Sequence, residues 1–515
     1  MKLFAILLAA GLSACSQPAE DILVFGRGSD AVGLDPALEN DGESFKVCDN
    51  LYENLVTYES GSTAVVPQLA RSWEVSQDRL VWTFRLRTGV RFHDGTPFNA
   101  GAMLFSLQRQ YDPEHPAHKV QGAYKYWKDM GMDEVVEGME APDDSTLVIR
   151  LRQANAPFLS TLAMNFCAAV SPAAVRKFGD DYFKNPVGTG PFRFVEWRKD
   201  ERIVLERFDG YWGEKAGVKR LLFKPIQEAS VRLLELQSGA IHGLDNLVPE
   251  YIPRVKKDPN LQLLTQPGMN VGYLAMNMDK PPFDNRLVRQ ALNHAINKQT
   301  LVDNFYQGLA LPAKNPIPPT LWGYNDDIEA YPYDPQKARQ LLAEAGFADG
   351  FDTELWAMPV PRPYMPQPDK IAQAIQADLK AVGVRAQIRQ WEWGTYLDKV
   401  SKGEHTMALL GWTGDNGDPD NFLSVLLSCK GANLARWCDK EFDDLVMSAK
   451  RTADVAERTA LYQEAQQVFK REAPWVTIAH SMVYEPVRRE VQGYRIDPFG
   501  GHIFYGVDLR SELDQ

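Results

Sequence analysis

From about Gly268 onward the chain alternates apolar strand patterns with amphipathic helix patterns, and this rhythm restricts its fold more than any other feature. Residues 271–276 (VGYLAM) read as a buried strand. A helix follows from Asp284, with Val288, Leu292, Ala295 and Ile296 on one face. Asp334 and Pro335 cap a second helix that carries Ala338, Leu341, Leu342 and Ala345 on its apolar face, and Gly346 stops it. Ile371, Ile375 and Leu379 line a third helix ended by Gly383, after which residues 384–388 alternate as a half-buried strand. Such alternation predicts an α/β lobe, because striped helices of this kind find cover against a sheet.

A candidate ligand loop sits inside this rhythm. Residues 411–422 (GWTGDNGDPDNF) follow the apolar strand 407–410 and hold three glycines, three aspartates, two asparagines and a tryptophan. Glycine permits close backbone approach, and Asx residues stabilise tight turns. Ligands of open α/β sheets favour such strand ends.

The earlier chain is richer in strand signals. Residues 81–86 and 146–151 alternate or run apolar, and residues 93–97 (HDGTP) form a turn. Residues 26–31 (GRGSDA) match a dinucleotide fingerprint only in spacing, since the turn sequence VGLDP follows where a helix should open. Residues 185–192 (NPVGTGPF) lack the Gly-Lys-Ser/Thr of a phosphate loop and read as a structural turn. His93, His115 and His118 have no partners at metal-ligand spacing, so no metal or cofactor is expected. No G-x-S-x-G or H-E-x-x-H motif is present, which points away from a hydrolase. A formal charge of −12 argues against nucleic acid as a partner.

The N-terminus reads as an export signal. Met1-Lys2 precedes an apolar run over residues 3–12, too short to span a bilayer permanently, and Leu12-Ser13-Ala14-Cys15 resembles a bacterial lipobox. Residues 1–14 are therefore expected to be a lipoprotein signal peptide, Cys15 the lipidated residue, and 15–20 a tether. Export permits disulfides. Cys429 and Cys438 bracket a short polar segment and form the natural pair, contributing about 2–3 kcal/mol. Cys48 and Cys167 stay open between a bond and buried thiols.

The chain resembles the extracellular solute-binding proteins of the peptide/nickel family, the receptors that feed ABC importers. General marks are residues 69–76 (LARSWEVS), 90–95 (VRFHDG), 185–192 and 208–212 (FDGYW). Residues 321–327 (LWGYNDD), 355–364 (LWAMPVPRPY) and 411–422 are similar to the dipeptide-binding branch. The resemblance implies an α/β periplasmic-binding-protein fold of two lobes, with an additional β-rich subdomain in lobe one. Lobe one would take residues 21–270, including the subdomain at about 53–183. Lobe two would take 271–478, and 479–515 would return to lobe one. The function implied is capture of dipeptides or similar short peptides between the lobes, without catalysis, by a monomeric exported lipoprotein facing the periplasm or cell surface. Delivery would be to an ABC permease in the cytoplasmic membrane. Relatives sharing these motifs extend the ligand range to glutathione, haem or antimicrobial peptides.

Carried over by motif, Asp415 would pair with the ligand's α-ammonium and Arg362 with its α-carboxylate. Backbone at Gly28-Ser29 and Gly411-Trp412 would pair with the peptide main chain as an added strand, and Trp412 and Trp393 would wall the side-chain pockets. Asp418 and Asp420 would brace the turn. Residues 29–31 depart from the dipeptide-binding pattern and would face the ligand.

Overall fold

A computed structural model describes residues 21–509, apart from residues 40, 60 and 120–123. The signal peptide, the lipobox cysteine Cys15 and the 15–20 tether lie outside the described residues.

The fold is mixed α/β and two-lobed, organised on one long strand, Trp475–Arg488. Its first half pairs antiparallel with Asn270–Met276, and its second half with Leu261–Pro267. Beyond Asn270–Met276 the sheet continues through Met407–Thr413, Phe351–Trp356 and Val384–Arg389. On the other flank it runs through Gly243–Leu244, Ile22–Arg27, Arg220–Pro225, Arg202–Arg207 and Phe192–Arg198. Each flank has its own core. Leu274, Leu292, Ile375 and Leu409 belong to one, and Leu23, Phe25, Leu205 and Phe223 to the other.

The crossing between flanks is narrow. The Gly268 N–H donates to the Ser481 carbonyl at 3.0 Å, and a Cβ on Gly268 would sit 2.6 Å from that oxygen. Asn270, 1% exposed, accepts from the Ser481 N–H at 2.9 Å and donates back to its carbonyl at 3.2 Å. A separate antiparallel sheet of Ala70–Val75, Val81–Leu86, Thr146–Leu151 and Val136–Asp143 covers its own core of Phe84, Phe92, Trp127 and Leu147.

Helix ends follow local chemistry. Asp334 accepts from the N–H groups of Gln336 and Lys337 at the head of Pro335–Glu344, and Gly346 adopts φ +89° just past its end. Pro368–Ala381 buries Ile371, Ile375 and Leu379, each worth about 1.5–3 kcal/mol of apolar transfer. The helix Gly42–Leu51 ends where Tyr52 turns extended, with its hydroxyl on the Leu34 carbonyl at 2.8 Å. The lobe boundary read at 478/479 falls inside one strand. That strand is uniformly buried to residue 481, so its burial carries no mark where its neighbours change.

Cys429 and Cys438 are joined by a disulfide, while Cys48 and Cys167 are free and buried. Burial pushes both free thiols well above the usual range, which makes them unreactive. No helix among the described residues is long and apolar enough to cross a membrane.

Candidate functional site

The strand Met407–Thr413 ends at the polar loop, and the loop runs into the helix Asp420–Leu427. One buried side chain clamps it. The Asn421 Oδ1 accepts from the Asp415 N–H at 2.9 Å and from Trp412 Nε1 at 3.0 Å, and its Nδ2 donates to Asp415 Oδ2 at 3.3 Å. Asp418, 1% exposed, takes Arg458 Nη2 on both oxygens at 2.8 Å and caps the Asp420 N–H at 3.0 Å. Asp420 accepts from Ser424 Oγ at 2.5 Å and from Lys450 Nζ at 3.2 Å. Two aspartates therefore brace the turn, and Asp415 is left with its charge unmatched.

Asp415 lines a cavity of about 630 Å³ whose opposite wall carries Phe45, Lys46, Tyr126 and Phe499. The Tyr126 hydroxyl donates to Asp415 Oδ1 at 3.4 Å across a separation of 289 residues. Burial raises the Asp415 carboxyl to about 6, opposed by its bonds from Asn421 and Tyr126. Two more acids line the cavity. Burial, with repulsion from Asp497, lifts Asp49 to about 7, and burial lifts Asp497 to about 6. Lys46 is already engaged, at 2.6 Å from Asp245 and 2.9 Å from Glu43.

Arg362 sits in a tight turn in which it and Met365 exchange backbone hydrogen bonds of 2.9 and 3.1 Å. That turn rests on the sheet because Gly272 and Gly411 face each other in adjacent strands. A Cβ on Gly272 would lie 2.4 Å from the Tyr364 carbonyl oxygen, and one on Gly411 would lie 2.2 Å from the Tyr364 ring. Tyr306 donates to the same carbonyl at 2.8 Å. The Arg362 guanidinium lies 5.1 Å from the Trp393 ring centroid, and Trp393 stacks on Tyr396. Arg362 is exposed and has no carboxylate within 4 Å among the described residues.

Other expected contacts fall elsewhere. Gly411 has no side chain where the Tyr364 ring packs against it. The Gly28 N–H is consumed by Asp245 Oδ1 at 3.0 Å, Ser29 points to solvent, and neither lines the cavity at Asp415. Asp30 and Ala31 do not face it either. Asp30 is buried beneath Trp197 Nε1 at 2.9 Å and the Asp200 N–H at 2.8 Å. Trp412 spends its N–H on Asn421, as a support of the loop. Tyr126, Asp49 and Asp497 carried no motif in the sequence, and only folding brings them to the cavity at Asp415.

A family profile for bacterial extracellular solute-binding proteins, family 5 Middle, matches residues 64–433. The chain belongs to this family. The solute-binding protein is 43% identical to the dipeptide-binding protein of Escherichia coli (strain K12), over 98% of this chain and 97% of that one. It is 42% identical to heme-binding protein A of Haemophilus influenzae, over 93% of this chain and 90% of that one. Among solved structures it resembles an ABC transporter-associated periplasmic binding protein from Helicobacter pylori in complex with the peptide STSA. That likeness has TM-score 0.79 and 38% identity, covering 95% of this chain and 98% of that one. The family is one of solute-binding proteins, and the two-lobed architecture is shared with these relatives.

Proposed function

We propose that this solute-binding protein captures dipeptides or similarly short peptides between its lobes and delivers them to an ABC permease, without chemical change. It would act as a monomer, held to the membrane by a lipid on Cys15. The lobes closing on the peptide would be residues 21–270 with the C-terminal return, and 271–478. One observation carries the reading. A carboxylate without a cation, Asp415, and a guanidinium without an anion, Arg362, are set at the same end of one sheet through the Gly411–Tyr364 contact. A zwitterion removed from water needs both charges matched, and an arginine fork suits a carboxylate. Similarity to two peptide-binding relatives supports the same ligand class.

Calorimetric titration with a plain dipeptide, its N-acetyl form and its C-terminal amide tests this. Binding of the plain dipeptide with loss in both blocked forms is expected, and equal affinity for all three would refute it. The peptide should be recovered intact after incubation. Similarity to a heme-binding relative favours haem as a second ligand class, and a Soret shift abolished by dipeptide would place haem in the same cleft.

The raised Asp415 carboxyl sets a pH dependence. A peptide ammonium binds the ionised form, so affinity should be highest near pH 7 and fall again above about 8 as the peptide amine loses its own proton. Below about 6 it should fall by at most about tenfold per pH unit as the free protein takes up a proton. Binding should release protons near pH 6, because the ammonium lowers the bound-state pKa. Asp49 and Asp497 titrate in the same range, so Asp415→Asn separates the contributions. Its weak binding should lose the steep acid limb, and an unchanged profile would remove Asp415 from the role.

A further inference from the structure

A second cavity, of about 820 Å³, shares no lining residue with the one at Asp415. Trp73, Trp82 and Leu159 form one wall, beside the four-stranded sheet, and Leu321, Trp322 and Val455 form the other. The walls belong to different lobes and are joined by two hydrogen bonds to backbone carbonyls. The Ala156 N–H donates to the Lys450 carbonyl at 2.8 Å, and Arg79 Nη1 to the Arg451 carbonyl at 2.9 Å. The rim is apolar on both sides, with Val75 39% and Val455 59% exposed. Trp82 is 8% exposed and supplies its ring to the wall.

The charge at this cavity is positive and uncommitted. Its acid, Asp418, is matched by Arg458, whereas Arg79 and Arg451 have no carboxylate within 4 Å among the described residues. No His, Met, Cys or Tyr lines the walls, so a haem iron would find no axial ligand there.

From the aromatic walls and the unmatched arginines, we propose that this cavity binds an amphipathic aromatic anion, and that its occupant stabilises the closed arrangement of the lobes. The ring system lies between Trp73, Trp82 and Trp322, and the anionic group reaches Arg451 and Arg79. Because the walls come from both lobes, an occupant favours the juxtaposition that also closes the peptide cleft, and linkage makes the effect reciprocal. Only this coupling rests on the peptide reading; the site itself does not.

The probe is 8-anilinonaphthalene-1-sulfonate, an aromatic anion whose fluorescence reports burial. Saturable binding of one equivalent is expected, with affinity raised about fivefold or more by saturating dipeptide. Arg451→Glu should weaken the probe by about tenfold and leave dipeptide affinity unchanged, since only the Arg451 carbonyl joins the lobe contact. Displacement of the probe by dipeptide, or unchanged probe affinity in Arg451→Glu, overturns the proposal. Probe binding that responds to Arg451→Glu in a protein that ignores dipeptides would support this site while refuting the peptide reading.

Discussion

Asp415→Ala is expected to weaken dipeptide binding by about 2–5 kcal/mol, or roughly 30- to 4,000-fold, measured by calorimetry at pH 7.5. The loss is large because the bound ammonium would be stranded in a closed site without the carboxylate that matches it. Asp415→Asn sharpens the test. It preserves the side chain's shape and can still accept from Tyr126, so a comparable loss would identify charge rather than packing as the cause. Arg362→Ala should lose affinity in the same range. Unchanged affinity in both charge-removing variants would end the zwitterion assignment.

Folding stability should move the other way at Asp415. Its carboxyl is raised from 3.8 to about 6, so the ionised group opposes folding above pH 6. That opposition fades as pH falls toward 3.8, where the unfolded chain also takes up its proton. Asp415→Asn should therefore retain or slightly raise the denaturation midpoint at neutral pH. A binding defect caused by unfolding would lower it.

The second large effect concerns the brace. Arg458→Ala should destabilise the protein by about 3–5 kcal/mol, read as a lowered midpoint in urea denaturation. The variant leaves Asp418 buried at 2% side-chain exposure without its cation. Removing the pair together, as Asp418→Asn with Arg458→Met, should cost less than the single change, because no buried charge remains. Lys450→Ala, which affects only Asp420 through a 30% exposed lysine, should cost less than about 1 kcal/mol. A single Arg458 variant no less stable than the double would show that the brace contributes little. Since Asp418 and Asn421 lie in one turn, Arg458→Ala should also reduce dipeptide affinity.

Much of the fold was legible along the chain. Asp334 with Pro335 and the apolar stripe of Ile371, Ile375 and Leu379 announced their helices, because caps and periodicity act within a few residues. The loop at 411–422 was recognisable by composition, and the bracing roles of Asp418 and Asp420 follow from local turn chemistry completed by a distant arginine. Residues 29–31 misled. Their place after a strand gave no sign that Trp197 and the Asp200 N–H would bury Asp30 away from the cleft. Gly411 was ambiguous, since an absent side chain is equally useful to a ligand or to a neighbouring tyrosine ring.

What the sequence by itself determined is the α/β rhythm, the family and the acid-bearing loop, all of which rest on residues close together in the chain. Only the tertiary structure decided that Asp415 faces Tyr126, that the Arg362 turn is seated on Gly272 and Gly411 through Tyr364, and that one strand serves both lobes. The physical reason is the range of the interactions. Turn propensity and capping are fixed by neighbouring backbone, whereas a carboxyl held near 6 depends on which distant surfaces exclude water from it.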